Sequence, residues 1–208
     1  MNHTLQINSI CVFCGSALGK DAIYRKTAAV LGKALADNNI ELVYGGSNIG
    51  LMRVLADAAM EAGGKVTGIM PKLLAKKEIL HSGLTRVITV DTMAERKHLM
   101  GEYSDAFITM PGGYGTLDEL FEVLSWFQLG IAKKPVAILN VNDYFYHLLQ
   151  FLDLTVAQGY LRSEHRENIL VDKDPHILIE KIRTFNEIEV DSKWVDMLID
   201  DTRKNHKS

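Results

Sequence analysis

Apolar and polar positions follow two different rhythms along this chain. Short runs that are apolar almost throughout fall at 7–14, 40–44, 65–70, 84–90, 105–110, 135–140 and 168–171. Runs of that length, apolar at odd and even positions alike, fit strands buried on both faces of a sheet. Between them the apolar residues recur every three or four positions. This spacing predicts helices near 21–38, 49–62, 92–103, 116–129, 143–158, 175–186 and 192–204. Strands alternating with helices form βαβ units, so the expected fold is α/β, a doubly wound and mostly parallel sheet flanked by helices. At 208 residues the chain is expected to be one domain, 1–208, with a more charged tail after Glu187.

In such sheets ligands bind beyond the carboxyl ends of the strands. Three expected strands end there in glycine turns: Gly15-Ser16-Ala17-Leu18-Gly19-Lys20, Gly45-Gly46-Ser47-Asn48-Ile49-Gly50 and Pro111-Gly112-Gly113-Tyr114-Gly115-Thr116. The first is one residue short of a P-loop, and Asp21 stands where that motif needs Ser or Thr. Each turn leads into a helix whose first N–H groups lack partners and favour an anion. A tight strand-to-helix connection explains the first two turns equally well. The third is denser in glycine and ends in a hydroxyl, which points to a phosphate.

Two charged residues sit in unexpected places. On the helix after Val90, Met93, Leu99, Met100 and Tyr103 share one arc, and Arg96 falls in its middle. A guanidinium there needs a carboxylate or a phosphate to be tolerable. It is either half of a structural ion pair or a ligand contact. Thr92 and Glu95 read as a capping box for this helix, and Thr116 and Glu119 as another for the next. Glu119 therefore either caps its helix or, lying outside the stripe of Leu117, Leu120, Phe121, Leu124 and Phe127, faces the ligand crevice.

Composition narrows the alternatives. Lys plus Arg number 23 against 26 Asp plus Glu, a net charge of −3, so no global field draws in nucleic acid. No run of 18 apolar residues is long enough to span a membrane, and the start lacks the basic region of a signal peptide. Cys11 and Cys14 lie on one expected strand, where residues three apart face opposite ways. Two buried free thiols and a cytoplasmic location follow. The seven histidines form no ligand-spaced set, so no metal is expected.

Glu95-Arg96-Lys97 followed by Pro111-Gly112-Gly113-Tyr114-Gly115-Thr116-Leu117-Asp118-Glu119 resembles the Lonely-guy family. Its members are cytokinin riboside 5′-monophosphate phosphoribohydrolases, many once labelled lysine decarboxylases. The resemblance runs from about Ile10 to Val171. It implies a Rossmann-like homodimer without a cofactor. Such an enzyme cleaves the N-glycosidic bond of a purine nucleoside 5′-monophosphate, a cytokinin riboside or adenosine nucleotide, giving free base and ribose 5-phosphate. It also implies that Arg96 and Glu119 are the catalytic pair. Gly112, Gly113, Tyr114, Gly115 and Thr116 would hold the phosphate, and Lys97 and Glu78 would contact substrate. In this reading Arg96 lowers the Glu119 pKa and keeps it ionised. Three alternatives remain: a nucleotide-binding or carrier protein of the same fold, a pyridoxal-dependent decarboxylase, and an interaction protein whose glycine turns are structural.

Overall fold

Along β1 (Ser9–Phe13), Ile10 and Val12 join one hydrophobic core, together with Cys14 just beyond, while Cys11 and Phe13 join another. The two cores lie on opposite faces of one sheet, as a doubly wound fold requires. The computed structural model describes residues 4–75 and 80–189, so the expected helix 192–204 and Glu78 lie outside the described residues.

The remaining strands are β2 (Glu41–Tyr44), β3 (Val66–Pro71), β4 (Arg86–Val90), β5 (Ala106–Thr109), β6 (Val136–Leu139) and β7 (Ile169–Asp172). They form a seven-stranded sheet in the order β4-β3-β2-β1-β5-β6-β7, with every neighbouring pair parallel. The helices are α1 (Ala22–Asp37), α2 (Gly50–Glu61), α3 (Lys72–Ala75), α4 (Met93–Glu102), α5 (Tyr114–Gln128), α6 (Tyr146–Ala157), α7 (Ser163–Glu167) and α8 (Pro175–Arg183). Residues from α1, α2 and α8 build one core, with Ala28, Leu31, Leu55 and Leu178 against Ile10 and Leu42. Residues from α4, α5 and α6 build the other, with Met100, Leu120, Val123 and Leu152 against Phe107 and Ile138.

Two expectations need correction. The strand expected at 84–90 is not buried on both faces: among the described residues β4 pairs with β3 alone, and Arg86, Val87 and Thr89 are exposed. An edge strand carries its outer face to solvent, and apolar content alone does not reveal that. The helices α3 and α7 were not expected, since four or five residues are too few to show a period. Helix ends follow local chemistry. Asp174 caps α8 by accepting from the His176 and Ile177 amides at 2.8 and 3.1 Å, and Pro175 opens that helix.

Candidate active site

The chain runs outward from β1 through β2 and β3 to β4, then returns to place β5 on the other side of β1. The strand order reverses at β1 and β5, the place where open α/β sheets bind ligands. Two of the glycine turns meet there. The Gly15 amide donates to the Pro111 carbonyl at 3.0 Å. A Cβ on Gly112 would overlap Thr116 and lie 2.9 Å from the Gly15 nitrogen. The second turn joins them through Gly50, whose φ of +60° suits glycine and whose absent Cβ would overlap the Ser16 backbone.

Arg96 lies one turn into α4. Thr92 caps this helix, its hydroxyl accepting from the Glu95 amide at 3.0 Å, and Glu95 Oε2 accepts from the Asp91 amide at 2.9 Å. The reciprocal bond thus falls one residue before the expected box. Arg96 is 9% exposed. Its Nε donates to the Ile69 carbonyl of β3 at 3.0 Å, and its Nη1 donates to Glu119 Oε1 at 2.9 Å. Met93 and Tyr103, expected on the same apolar arc, are exposed, at 46% and 40%. A side chain on Gly45 would overlap Arg96 Nη2, so the turn after β2 leaves room for the guanidinium.

The second expected capping box does not form. Gly113 is the N-cap of α5, which starts two residues before the expected boundary, so Thr116 sits inside the first turn and Glu119 in the second. The buried stripe of α5 is Thr116, Glu119, Leu120, Val123 and Phe127, whereas Phe121 is exposed. Glu119, 8% exposed, is on the buried stripe rather than outside it, held there by Arg96. Among the described residues, Glu119 Oε2 and Arg96 Nη2 make no hydrogen bond. Each is left with capacity for a further partner.

Burial pushes the Glu119 carboxyl above its ordinary value, and the opposing pull of Arg96 does not reverse the shift. The sequence-based expectation that Arg96 would lower it is therefore corrected: desolvation penalises the charged form more than one cation repays. Burial likewise pushes up the Cys11 and Cys14 thiols, which are both free and buried.

The other expected residues fall into three groups. Gly113, Tyr114, Gly115 and Thr116 form the first turn of α5 and its cap, where the N-cap glycine has no side chain to cap the helix amides. Among the described residues nothing beyond the chain neighbours lies within 4 Å of a Cβ placed on Gly113 or Gly115, and Tyr114 is 95% exposed, so the loop is open to a ligand. Lys97 is turned to α5 instead, with Nζ 3.1 Å from both Asp118 and Glu122. At the first glycine turn the position an anion would take is filled, because Asp21 accepts from the Ile23 amide at 2.9 Å and caps α1. Sequence reasoning did not find Tyr144, whose hydroxyl donates to the Gly112 carbonyl at 2.6 Å. The residues are 32 apart, and no spacing signal links them.

A cavity of about 230 Å³, lined by Phe121, Leu124, Phe151, Leu152, Tyr160 and Ile169, lies elsewhere. It borders the first residues of β6 and β7, at the opposite end of the sheet from the Arg96–Glu119 pair. Among the described residues no three His, Cys, Asp or Glu side chains gather as a metal site would require. Nor is any described helix long and apolar enough to cross a membrane.

The family model described as "Possible lysine decarboxylase" matches residues 52–182. The probable cytokinin riboside 5′-monophosphate phosphoribohydrolase LOGL2 of Oryza sativa subsp. japonica is 46% identical over 85% of this chain and 72% of its own length. Cytokinin riboside 5′-monophosphate phosphoribohydrolase LOG3 of Arabidopsis thaliana is 45% identical over 85% of this chain and 82% of its own length. Among solved structures, the molybdenum cofactor binding protein of Rippkaea orientalis aligns with a TM-score of 0.66 at 23% identity, covering 87% of this chain and 98% of that one. That likeness shows a shared fold alone. The sequence relatives go further, and the chain belongs to the Lonely-guy family, that of the cytokinin riboside 5′-monophosphate phosphoribohydrolases.

Proposed function

We propose that this protein hydrolyses the N-glycosidic bond of a purine nucleoside 5′-monophosphate, releasing free base and ribose 5-phosphate. The relatives named for this activity on cytokinin riboside 5′-monophosphates reach 42–48% identity. The observation that carries the reading is the buried Arg96–Glu119 pair at the crevice where the glycine turns meet.

Departure of the base builds positive charge on the ribose, as in glycoside hydrolysis. The phosphate sits on the loop of Gly112, Gly113, Tyr114, Gly115 and Thr116, where unpaired helix N–H groups favour an anion. Glu119 faces the ribose and stabilises the developing cation. It takes a proton from the attacking water as the oxygen bonds to C1′, and the bond from C1′ to the base breaks. That proton then passes to the departing base, so the site ends as it began. Arg96 orients Glu119 through Nη1 and offers Nη2 to the ligand. Lys97 acts from beside the pair, tying α4 to α5 through Asp118 and Glu122.

The family description raises decarboxylation, which usually relies on pyridoxal phosphate held by a Schiff-base lysine of lowered pKa. Lys97, the lysine beside the pair, does not fit. Burial pulls its pKa down, but hydrogen bonds to Asp118 and Glu122 hold it above the ordinary value.

A homodimer in the cytoplasm belongs to the same proposal. The exposed Phe121, Phe151, Leu154 and Tyr160 on and beside α5 and α6 support a subunit contact. The two free thiols suit a reducing compartment. Light scattering of the purified protein tests the first, and localisation of the tagged chain tests the second.

The decisive experiment is chromatography after incubation with AMP and, separately, with isopentenyladenosine monophosphate. Free base plus ribose 5-phosphate from wild type, and none from Glu119→Gln, is the expected result. Equal release by both proteins would remove Glu119 from the mechanism. Nucleotide binding without release would leave a carrier.

A further inference from the structure

After β6 the chain makes an unusual turn. Asn142 and Asp143, neither of them glycine, take φ values of +50° and +55° in succession. Such conformations are uncommon for residues with side chains and persist where the surroundings impose them. Here the constraints come from several directions. Buried Asn140 accepts from the Phe145 amide at 2.8 Å, and its Nδ2 donates to Asp143 Oδ1 at 3.4 Å. Asp143 Oδ2 pairs with Lys173 Nζ at 2.8 Å, and Phe145 is fully enclosed.

This turn delivers Tyr144. Its ring stands edge-on to Tyr24 and Phe145, with centroids 5.8 and 4.9 Å away. Its hydroxyl reaches the Gly112 carbonyl at 2.6 Å. The Gly112 carbonyl and the Gly113 N–H belong to one planar trans peptide and point in opposite directions. Fixing the carbonyl therefore fixes the amide. The peptide lies between two glycines, where no Cβ resists its rotation. Among the described residues the Gly113 amide donates to nothing. It heads the cap of α5, at the start of the proposed phosphate loop.

We infer that Tyr144 is a positioning residue for the substrate phosphate, its hydroxyl locking the Gly112–Gly113 peptide so that the Gly113 amide is held toward the anion. This rests on the reading of residues 112–116 as the phosphate loop. The held amide meets the phosphate without first having to be ordered, and the strained turn at Asn142 and Asp143 serves to hold the tyrosine.

Tyr144→Phe tests the lock, since it keeps the ring contacts and removes the hydroxyl alone. With AMP as substrate, KM should rise about 3- to 10-fold, the range that loss of one hydrogen bond produces, while kcat is unchanged. Inhibition by ribose 5-phosphate should weaken by a similar factor, and inhibition by free adenine should not change. The melting temperature should stay at the wild-type value. Wild-type KM and ribose 5-phosphate inhibition in the variant would overturn the inference. So would a parallel weakening of adenine and ribose 5-phosphate, which would mark a general structural role. A wild type that neither hydrolyses nucleotides nor binds ribose 5-phosphate would instead refute the phosphate-loop reading, and the lock would fall with it.

Discussion

Arg96 Nη1 lies 2.9 Å from Glu119 Oε1, yet Glu119 still titrates above the ordinary carboxylate value of 4.5. Burial outweighs the cation. In the proposed role of general base Glu119 would act in its ionised form, so the acidic limb of kcat/KM should have its midpoint above 4.5. A pH profile with AMP checks this. A limb at or below the ordinary value would place another group in that role.

The same shift links Glu119 to stability. A carboxyl whose pKa is raised by folding contributes stability below its unfolded pKa and loses that contribution as pH rises through its folded pKa. Melting temperatures of wild type and Glu119→Gln should therefore diverge with rising pH, the difference moving in favour of the glutamine variant. Turnover by that variant should fall on the order of 10²- to 10⁴-fold, with nucleotide binding retained. Parallel melting curves from pH 4 to 7, on the order of the carboxylate titration range, would contradict the linkage.

Removing the cation alone is expected to be worse than removing both charges. In Arg96→Met, Glu119 is buried without its counter-charge, and breaking such a pair costs about 3–5 kcal/mol. The loss should shrink in acid, where Glu119 takes up a proton. Arg96→Met combined with Glu119→Leu should recover much of the stability while staying inactive. Denaturant unfolding of the two single variants and the double completes the cycle. Additive losses would show that the two residues are not coupled.

Cys11 and Cys14 should resist modification in the folded protein. They sit in separate cores on opposite faces of the sheet, and burial raises both pKa values, so little thiolate forms at neutral pH. A thiol-reactive dye should label neither of them under native conditions and both in denaturant. Fast native labelling would mean that the strand end at Cys14 opens.

Much of this architecture is legible in the chain, and the gaps have physical causes. The strands fall where apolar runs predict them, because parallel strands inside a sheet leave few polar positions, while the edge strand β4 exposes Arg86, Val87 and Thr89. Arg96 stands out because a charge on a helix between apolar neighbours demands a partner. That the partner is Glu119, 23 residues further along, depends on how α4 and α5 pack, which no local period encodes. Thr116 and Glu119 have the spacing of a capping box. The start of α5 is decided three residues before Thr116, by an extended Gly113, and this turns Glu119 inward. The upward pKa shift follows from that burial, so a sequence reading that sees the cation and not the enclosure gets its sign wrong. Tyr144 reaches Gly112 through a turn after β6, and only the folded chain brings the two together.

Two glycine substitutions should separate the space around the Arg96–Glu119 pair from the space around the proposed phosphate loop. At Gly45 an added Cβ overlaps Arg96 Nη2 and comes within 3.2 Å of the Met52 sulfur. The guanidinium cannot move freely, because Ile69 and Glu119 hold its other nitrogens. Gly45→Ala should therefore break or bend the pair, lowering kcat with AMP by about 10²-fold, the effect of a small misplacement at a catalytic group. At Gly113 an added Cβ meets nothing within 4 Å among the described residues, and φ is −98°, which alanine adopts readily. Gly113→Ala should fold and melt like wild type. Its methyl group would intrude on the space left for the phosphate, so KM should rise while kcat holds. If Gly45→Ala changed KM alone, or Gly113→Ala changed kcat alone, the catalytic and phosphate-binding roles assigned to the two turns would have to be exchanged.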